Sequence, residues 1–484
     1  MSKRPKLKIL EDELVNEVIV EAKDILETLG VIVENQEGLD LFAKEGIVEN
    51  ERGRILIPAD LVDKCLSYAP KSIKLYNREG KLAVNLEGDN ICFDPGSTAL
   101  NILDYETNDF RLPITSDYVK YARITDQLEH IGAQSTSMIC SDVPKEIADA
   151  YRLYLSLVNC RKPIVTGTFK KESFDIMKEM LIIIRGDEEK LREKPLAIFD
   201  NCPSPPLRIA DLGCQSIIDS ALAGIPSEII SMPMMGANSP ASIFGAVVQH
   251  AAETISGIVI SQLTSKGAPV IWGGSPSVFD LRKGTTPMGA IETHMIDSAY
   301  AQVAKSFQLP THAYMGLSDS KVLDIQAGFE TGIGAIIAAL SGINMISGPG
   351  MMDFESSFSL EKLVIDNDIC GMALRLINGI TNYEEIITKE LLDQYETKKQ
   401  LLSHPTTRSL YKREFYFPSK VVDRATRDES LRSKTTAKQR AHNIVEQMLE
   451  SPQNYPIADD QNKQLAQLMS YNLKNFGLQQ LPIH

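Results

Sequence analysis

The chain holds a single tryptophan, seven histidines and seven cysteines, and no two cysteines form a C-x-x-C pair. Such scattered thiols, at Cys65, Cys92, Cys140, Cys160, Cys202, Cys214 and Cys370, argue against a disulfide framework or a structural zinc site and point to a reducing compartment. Basic excess is lacking too: at a formal charge of -14, the chain would be repelled by nucleic acid and by anionic membranes. No uninterrupted apolar run reaches the length of a membrane span, and the basic start MSKRPKLKIL has no apolar signal core. The expectation is a cytoplasmic protein with no bound metal and no nucleic-acid or membrane partner.

What is present suits a large core, since 43% of the residues are hydrophobic. Residues 11–30 repeat apolar positions at helical spacing and close on Gly30. RILIPADLVDKCLSYAP reads as a strand and then a helix opened by Pro58, and SIKLYNREGKLAVNL as a hairpin turning at Gly80. Residues 1–90 are therefore expected to form an N-terminal α+β cap of helices and a hairpin.

From residue 91 a rhythm begins. ICFDPGS, IGAQSTSM, PIVTGTF, LAIFDNCPSP, EIISMPMMG, PVIWGGSPS, THAYMGLSD and INMISGPGM are short apolar runs, each followed by a helical pattern. The count predicts an α/β fold, a (β/α)8 TIM barrel over residues 91–380. A doubly wound sheet alternates in the same way, but no G-x-G-x-x-G follows the first strand. Residues 381–484 turn polar and predict a C-terminal helical extension, with helices near 384–401, 428–450 and 459–474.

Barrel chemistry sits at the carboxyl ends of the strands. Those ends offer Phe93, Asp94, Gln134, Thr166, Asn201, Gly236, Asn238, Trp272, Tyr314, Asp319 to Lys321, and Pro349 to Met351. His130, His250, His294, His404, His442 and His484 fall within or near helices or in the tail, and His312 early in a strand, which argues against histidine acid–base catalysis. In LSDSKVLDIQAGFE, Asp319 or Ser320 is expected to cap a helix starting near Val322, with Gln326 and Glu330 on one face. Lys321 is read as capping surface, pocket wall or, in a rival reading, a Schiff-base nucleophile. Trp272 either packs between strand and helix or joins Phe93, Tyr314 and Phe354 as a wall for a cationic ligand. Arg282 pairs either a substrate carboxylate or Asp280.

The segments GIPSEIISMPMMGANSPASIFGAVVQHAAETISGIVISQLTSKGAPVIWGG, MGLSDSKVLDIQAGFE and SGPGMMDFESSFSLEKLVIDNDI resemble the trimethylamine methyltransferase family, from about residue 93 to about residue 375. That resemblance implies methyl transfer from an amine to a cognate corrinoid protein, with the corrinoid supplied in trans and no cofactor tightly bound. The archaeal trimethylamine enzyme of the family carries pyrrolysine, whereas every residue here is an ordinary amino acid. The chain therefore resembles the non-pyrrolysine branch, whose substrates are quaternary amines: glycine betaine first, with proline betaine, carnitine or butyrobetaine as alternatives. A quaternary nitrogen already leaves well, so no residue is expected to act as acid or base.

Strand-end position then suggests Phe93, Trp272, Tyr314 and Phe354 around the ammonium. Arg282 is the first candidate for a carboxylate and Lys321 the second, with Asn201 or Asn238 as neutral donors. Asp94, Gln134, Gly236, Asp319, Gln326, Glu330, Pro349 and Met351 are expected to line the pocket. The alternatives are a Schiff-base aldolase or lyase using Lys321, or a non-catalytic component that binds betaine or docks the corrinoid protein. A homo-oligomer is left open.

Overall fold

The computed structural model describes residues 4–383, 388–452 and 456–474. His484 and the first residues of the expected helix at 384–401 lie outside the described residues. Asp12–Asp24 is a helix that continues as a π-helical turn, Ile25–Leu29, and buries Val15, Val18, Ala22 and Leu26. Ser72–Tyr76 pairs antiparallel with Leu82–Glu87 in the expected hairpin.

All eight apolar runs become strands: β1 (Cys92–Asp94), β2 (Gln134–Ser135), β3 (Ile164–Thr166), β4 (Ala197–Asn201), β5 (Ser227–Ser231), β6 (Val270–Gly274), β7 (His312–Tyr314) and β8 (Met345–Ser347). The helices between and after them are α1 (Thr115–Gln127), α2 (Ala148–Asn159), α3 (Ser173–Arg185), α4 (Asp211–Ala223), α5 (Ile243–Thr264), α6 (Ile291–Ser306), α7 (Ile325–Ser341) and α8 (Leu360–Ile377). Strands β2 to β6 form one parallel sheet in sequence order, and β7, β8 and β1 a second, also parallel. A parallel bridge from Trp272 to Thr311 links β6 to the start of β7. On the other flank Gly132 N–H donates to Phe93 O at 2.8 Å, between the start of β2 and β1.

The amino ends of the strands are closed. Ile73, Leu75, Val84 and Leu86 of the hairpin share one apolar cluster with Cys92, Ala133, Val165, Ile198, Ile271 and Met345. A larger cluster runs from Val15 to Met469 and packs the strands' opposite faces against the helices. Helix α5 is long and apolar enough to cross a membrane by length and composition, a span the sequence reading did not find. It is mostly buried, against Asp12–Asp24, Ala59–Tyr68, α4 and α6, as an all-round apolar helix in a large core should be. The C-terminal segment forms Thr388–Lys398, Pro405–Glu414, Arg427–Ser433, Ala437–Glu450 and Asp459–Lys474, and Ala437–Glu450 packs on α8 and α1.

Candidate active site

Side chains alternate between the two faces of a strand. The face that carries Val165, Ile198 and Met345 at the closed end carries Asp94, Ser135, Asp200, Glu228, His312, Tyr314 and Ser347 nearer the carboxyl ends, by the register of the pairs Ser347–Asp94, Tyr314–Ser347 and Glu228–Asp200. Ser135, Asp94, Ser347 and His312 form a buried chain. Ser135 Oγ donates to Asp94 Oδ2 at 2.5 Å, Ser347 Oγ donates to Asp94 Oδ1 at 2.7 Å, and His312 Nε2 lies 2.9 Å from Ser347 Oγ. His312 Nδ1 is 2.9 Å from Glu228 Oε1 but not aligned as a hydrogen bond, so both Glu228 oxygens stay without such a partner. Burial pushes Asp94 up to about 6, and pushes Glu228 and Asp200 well above the carboxylate range. Burial lowers His312, favouring its neutral form.

Above this chain lies a cavity of about 390 Å³. Tyr314 and Phe354 line it, as do Arg152, Phe169, Asp200, Cys202 and Glu355, none of which appears among the sequence candidates. Arg152, on α2, is 1% exposed. Its Nη1 donates to Thr98 Oγ1 at 2.9 Å and Thr136 O at 2.6 Å, its Nε has no partner, and the guanidinium sits 4.5 Å from the centroid of the Phe169 ring. Phe354 and Glu355 reach the cavity from a turn in which Asp353, Phe354 and Glu355 all have left-handed φ, at 52°, 54° and 68°. Such backbone costs about 1 kcal/mol or more per residue and persists only when its surroundings hold it. Met351–Met352 and Ser357–Phe358 pair antiparallel on either side, and Asp353 N–H donates to Ser320 O at 3.0 Å.

That last bond gives LSDSKVLDIQAGFE its place: it braces the turn. Lys321 Nζ lies 3.4 Å from the Phe354 ring centroid, donates to Asp319 O at 2.6 Å and stands 3.6 Å from Asp353 Oδ1, outside the cavity lining. Helix α7 starts at Ile325 rather than near Val322, because Asp324 accepts from Gln326 N and Ala327 N and so caps it. Asp319 instead accepts from Met288 N and Gly289 N, and burial pushes it up to about 6. Gln326 donates to Glu330, which also accepts from Ser318 Oγ and Asp319 N, so both serve the brace.

The remaining candidates lie elsewhere. Trp272 is fully buried on the helix side of β6, stacked on Phe307 at 6.2 Å. Phe93 is buried on the helix side of β1, and Gln134 donates to Ser156 O of α2. Asn201 donates to Phe199 O and Ser227 Oγ. Asn238 accepts from Met234 N within the turn that contains Gly236. Pro349 and Met351 are buried, and neither they nor Asp94 line the cavity. Arg282 does not reach the cavity: its side chain is 86% exposed and bonds Asp280 through Nε at 3.0 Å and Nη2 at 2.8 Å. Two signals in the sequence marked the missed residues. Arg152 is the one basic residue inside the largely apolar helix ADAYRLYLSLV, and Glu228 and Asp200 are acids inside apolar strands.

The cavity offers no competent nucleophile among the described residues. Cys202 is surface-exposed as a residue, but desolvation and the neighbouring Asp200 push its thiol up to about 12, and no lysine or histidine lines the space.

The family model for trimethylamine methyltransferase (MTTB) matches residues 1–476. The trimethylamine methyltransferase of Desulfitobacterium hafniense is 30% identical over 421 residues, 87% of this chain and 84% of that one. That of Methanosarcina barkeri is 33% identical over 447 residues, covering 90% and 89% of the two chains. The glycine betaine methyltransferase of Desulfitobacterium hafniense is 30% identical over 448 residues, covering 92% and 93%. Among solved structures, the monomethylamine methyltransferase of Methanosarcina barkeri superimposes with a TM-score of 0.53 at 13% identity, covering 90% of this chain and 88% of that one, a likeness of fold. The chain thus belongs to the trimethylamine methyltransferase family and is a methyltransferase.

Proposed function

We propose that the chain transfers a methyl group from a quaternary amine bearing a carboxylate, glycine betaine first, to the reduced corrinoid of a partner protein. One observation carries this reading: the cavity is lined by a buried arginine and by the aromatic rings of Tyr314 and Phe354, with no lysine, histidine or activated thiol among the described residues. A zwitterion matches that polarity. Arg152, already fixed by Thr98 and Thr136, would take the carboxylate without first losing conformational freedom. The rings would face the methyl-bearing nitrogen, attracting it through their π faces. A relative named as a glycine betaine methyltransferase supports the choice of substrate.

The corrinoid supplies a two-electron cobalt nucleophile. The protein's part is to orient the nitrogen, exclude water and leave one side open. Positive charge on nitrogen disappears as the methyl leaves, so weak aromatic attraction favours the transition state more than a tight anionic clamp would. Leu100, Phe169 and Met232 leave apolar surface at the cavity's edge, which suits the approach of a corrinoid face. Lys321 braces Phe354 from outside the lining, which favours methyl transfer over a Schiff-base reading.

We also propose that the strands close as a (β/α)8 barrel over residues 91–380, with 1–90 as cap and 381–484 as extension. The Trp272–Thr311 bridge and the Gly132–Phe93 bond, one at each flank, support closure. The functional test mixes the chain with a reduced corrinoid protein and a panel of betaines, following loss of the Co(I) absorbance. Loss with glycine betaine and release of dimethylglycine is expected; no loss with any quaternary amine overturns the reading.

A further inference from the structure

Methyl transfer as described leaves the cavity's carboxyls without a task. Asp200 and Glu228 are register partners on β4 and β5, so their side chains share the face beneath the cavity. Asp200 and Glu355 both line the cavity. Among the described residues, no N–H or hydroxyl donates to Asp200 Oδ1 or to either Glu228 oxygen. Glu228 is buried and Asp200 half-buried at the cavity wall, and the two carboxyls lie within hydrogen-bonding reach of each other, which such a pair tolerates only with a proton between them. Facing Asp200 are Glu228 from β5, His312 and Tyr314 from β7, Asp94 from β1 and Glu355 from the turn after β8. Arg152 and Cys202 complete its charged and titratable surroundings. Arg152 makes its hydrogen bonds to Thr98 and Thr136 rather than to an acid, and burial favours neutral His312, so burial remains the larger influence on Asp200. Carboxyls this close cannot all ionise together.

We propose that Asp200 is a catalytic acid that protonates the tertiary amine left behind once the methyl has departed, with Glu228 as the partner that shares its proton. This rests on the betaine reading above. The C–N bond breaks and its electron pair stays on nitrogen; the methyl carbon bonds to the acceptor through the acceptor's own electron pair. Nitrogen then takes the proton of the Asp200 carboxyl, leaving a carboxylate opposite a tertiary ammonium. When the ammonium leaves, a proton from water restores the acid. A quaternary nitrogen has no lone pair, so the acid is silent while substrate waits. The free amine has one, and that pair is the nucleophile of the reverse transfer. Protonation removes it.

Calorimetry of the full chain in buffers of different ionisation enthalpy counts the protons exchanged on binding and needs no corrinoid. N,N-dimethylglycine brings an N–H that requires an ionised acceptor, whereas glycine betaine brings none. Dimethylglycine is expected to release about one proton more than betaine per molecule bound. Asp200→Asn should bind both and abolish the difference, and Glu355→Gln should retain it. Equal release from the unaltered protein, or a difference that survives Asp200→Asn, overturns the assignment while leaving the betaine reading intact. If neither ligand binds, the betaine reading fails and the assignment falls with it. Where Asp200→Asn does not fold, infrared difference spectra of the unaltered protein decide: a protonated-carboxyl band should vanish with dimethylglycine and persist with betaine, and its persistence with both overturns the proposal.

Discussion

The two ends of the same strands are built on opposite principles. At the amino ends, Ile73, Leu75, Val84 and Leu86 of the hairpin meet Val165, Ile198, Ile271 and Met345 in one apolar cluster, and the polar side chains beside it, Lys162 and Asn344, are fully engaged by hydrogen bonds. Further along the same face stand Asp94, Glu228 and His312, buried, and Asp200, half-buried at the cavity wall, and they are only partly satisfied. Apolar burial stabilises the fold, whereas unpartnered acids cost it. The difference teaches that the fold is held from the closed end and from the helix side, and that the carboxyl ends keep groups which stability alone would remove.

Substitutions should separate the two roles, the largest effect coming from Trp272. Its indole is fully buried on the helix side, so Trp272→Ala should cost about 3–5 kcal/mol, measured by chemical denaturation. The KM for betaine of the molecules that remain folded should be unchanged; a KM raised tenfold at full stability would move Trp272 to the cavity side. Arg152→Ala should act on binding as well as on stability. Losing a buried partner for a carboxylate costs about 2–3 kcal/mol, so betaine binding should weaken on the order of 100-fold in calorimetry. Undiminished affinity would take the carboxylate away from Arg152.

Glu228→Gln comes next, and its sign depends on pH. Burial raises the folded pKa of Glu228 well above its ordinary value. The folded state therefore holds this proton more tightly, and the contribution to stability, fully present below the unfolded pKa, is lost as pH rises through the carboxylate range toward the folded value. The unaltered protein should lose stability between pH 5 and pH 8, and Glu228→Gln should lose less, ending about 1–2 kcal/mol more stable at pH 8. Parallel stability profiles for the two proteins would mean that Glu228 ionises in the fold as freely as out of it.

The same contrast explains what the sequence disclosed. The eight strands were legible because a short apolar run bounded by Gly, Pro or Asn has little else to become. The face that each strand end presents was not. Choosing the last residue of each run mixed both faces, taking Asn201 and Trp272 from the helix side and passing over Asp200 one position away. Arg152 was hidden because a strand-end search never looks inside a helix. Helix α7 begins later than expected because Asp319 is drawn off to the backbone of Met288 and Gly289, leaving Asp324 as the cap. Tyr314 and Phe354, aromatics near strand ends, both line the cavity.

The smallest effect should come from Arg282, the sequence's first choice for the carboxylate. Its guanidinium is almost wholly in water, and its Nε and Nη2 are already engaged by Asp280, which that pairing holds down at about 2. An exposed pair of this kind contributes little, because water and salt screen it and two side chains must be ordered to form it. Arg282→Ala should therefore leave the KM for betaine within about twofold and the thermal midpoint unmoved. A KM raised tenfold or more, with Arg152→Ala nearly silent, would mean that the turn carrying Asp280 and Arg282 swings over the cavity when substrate binds. The carboxylate would then be held by a part that moves, and the rigid helix position of Arg152 would lose its purpose.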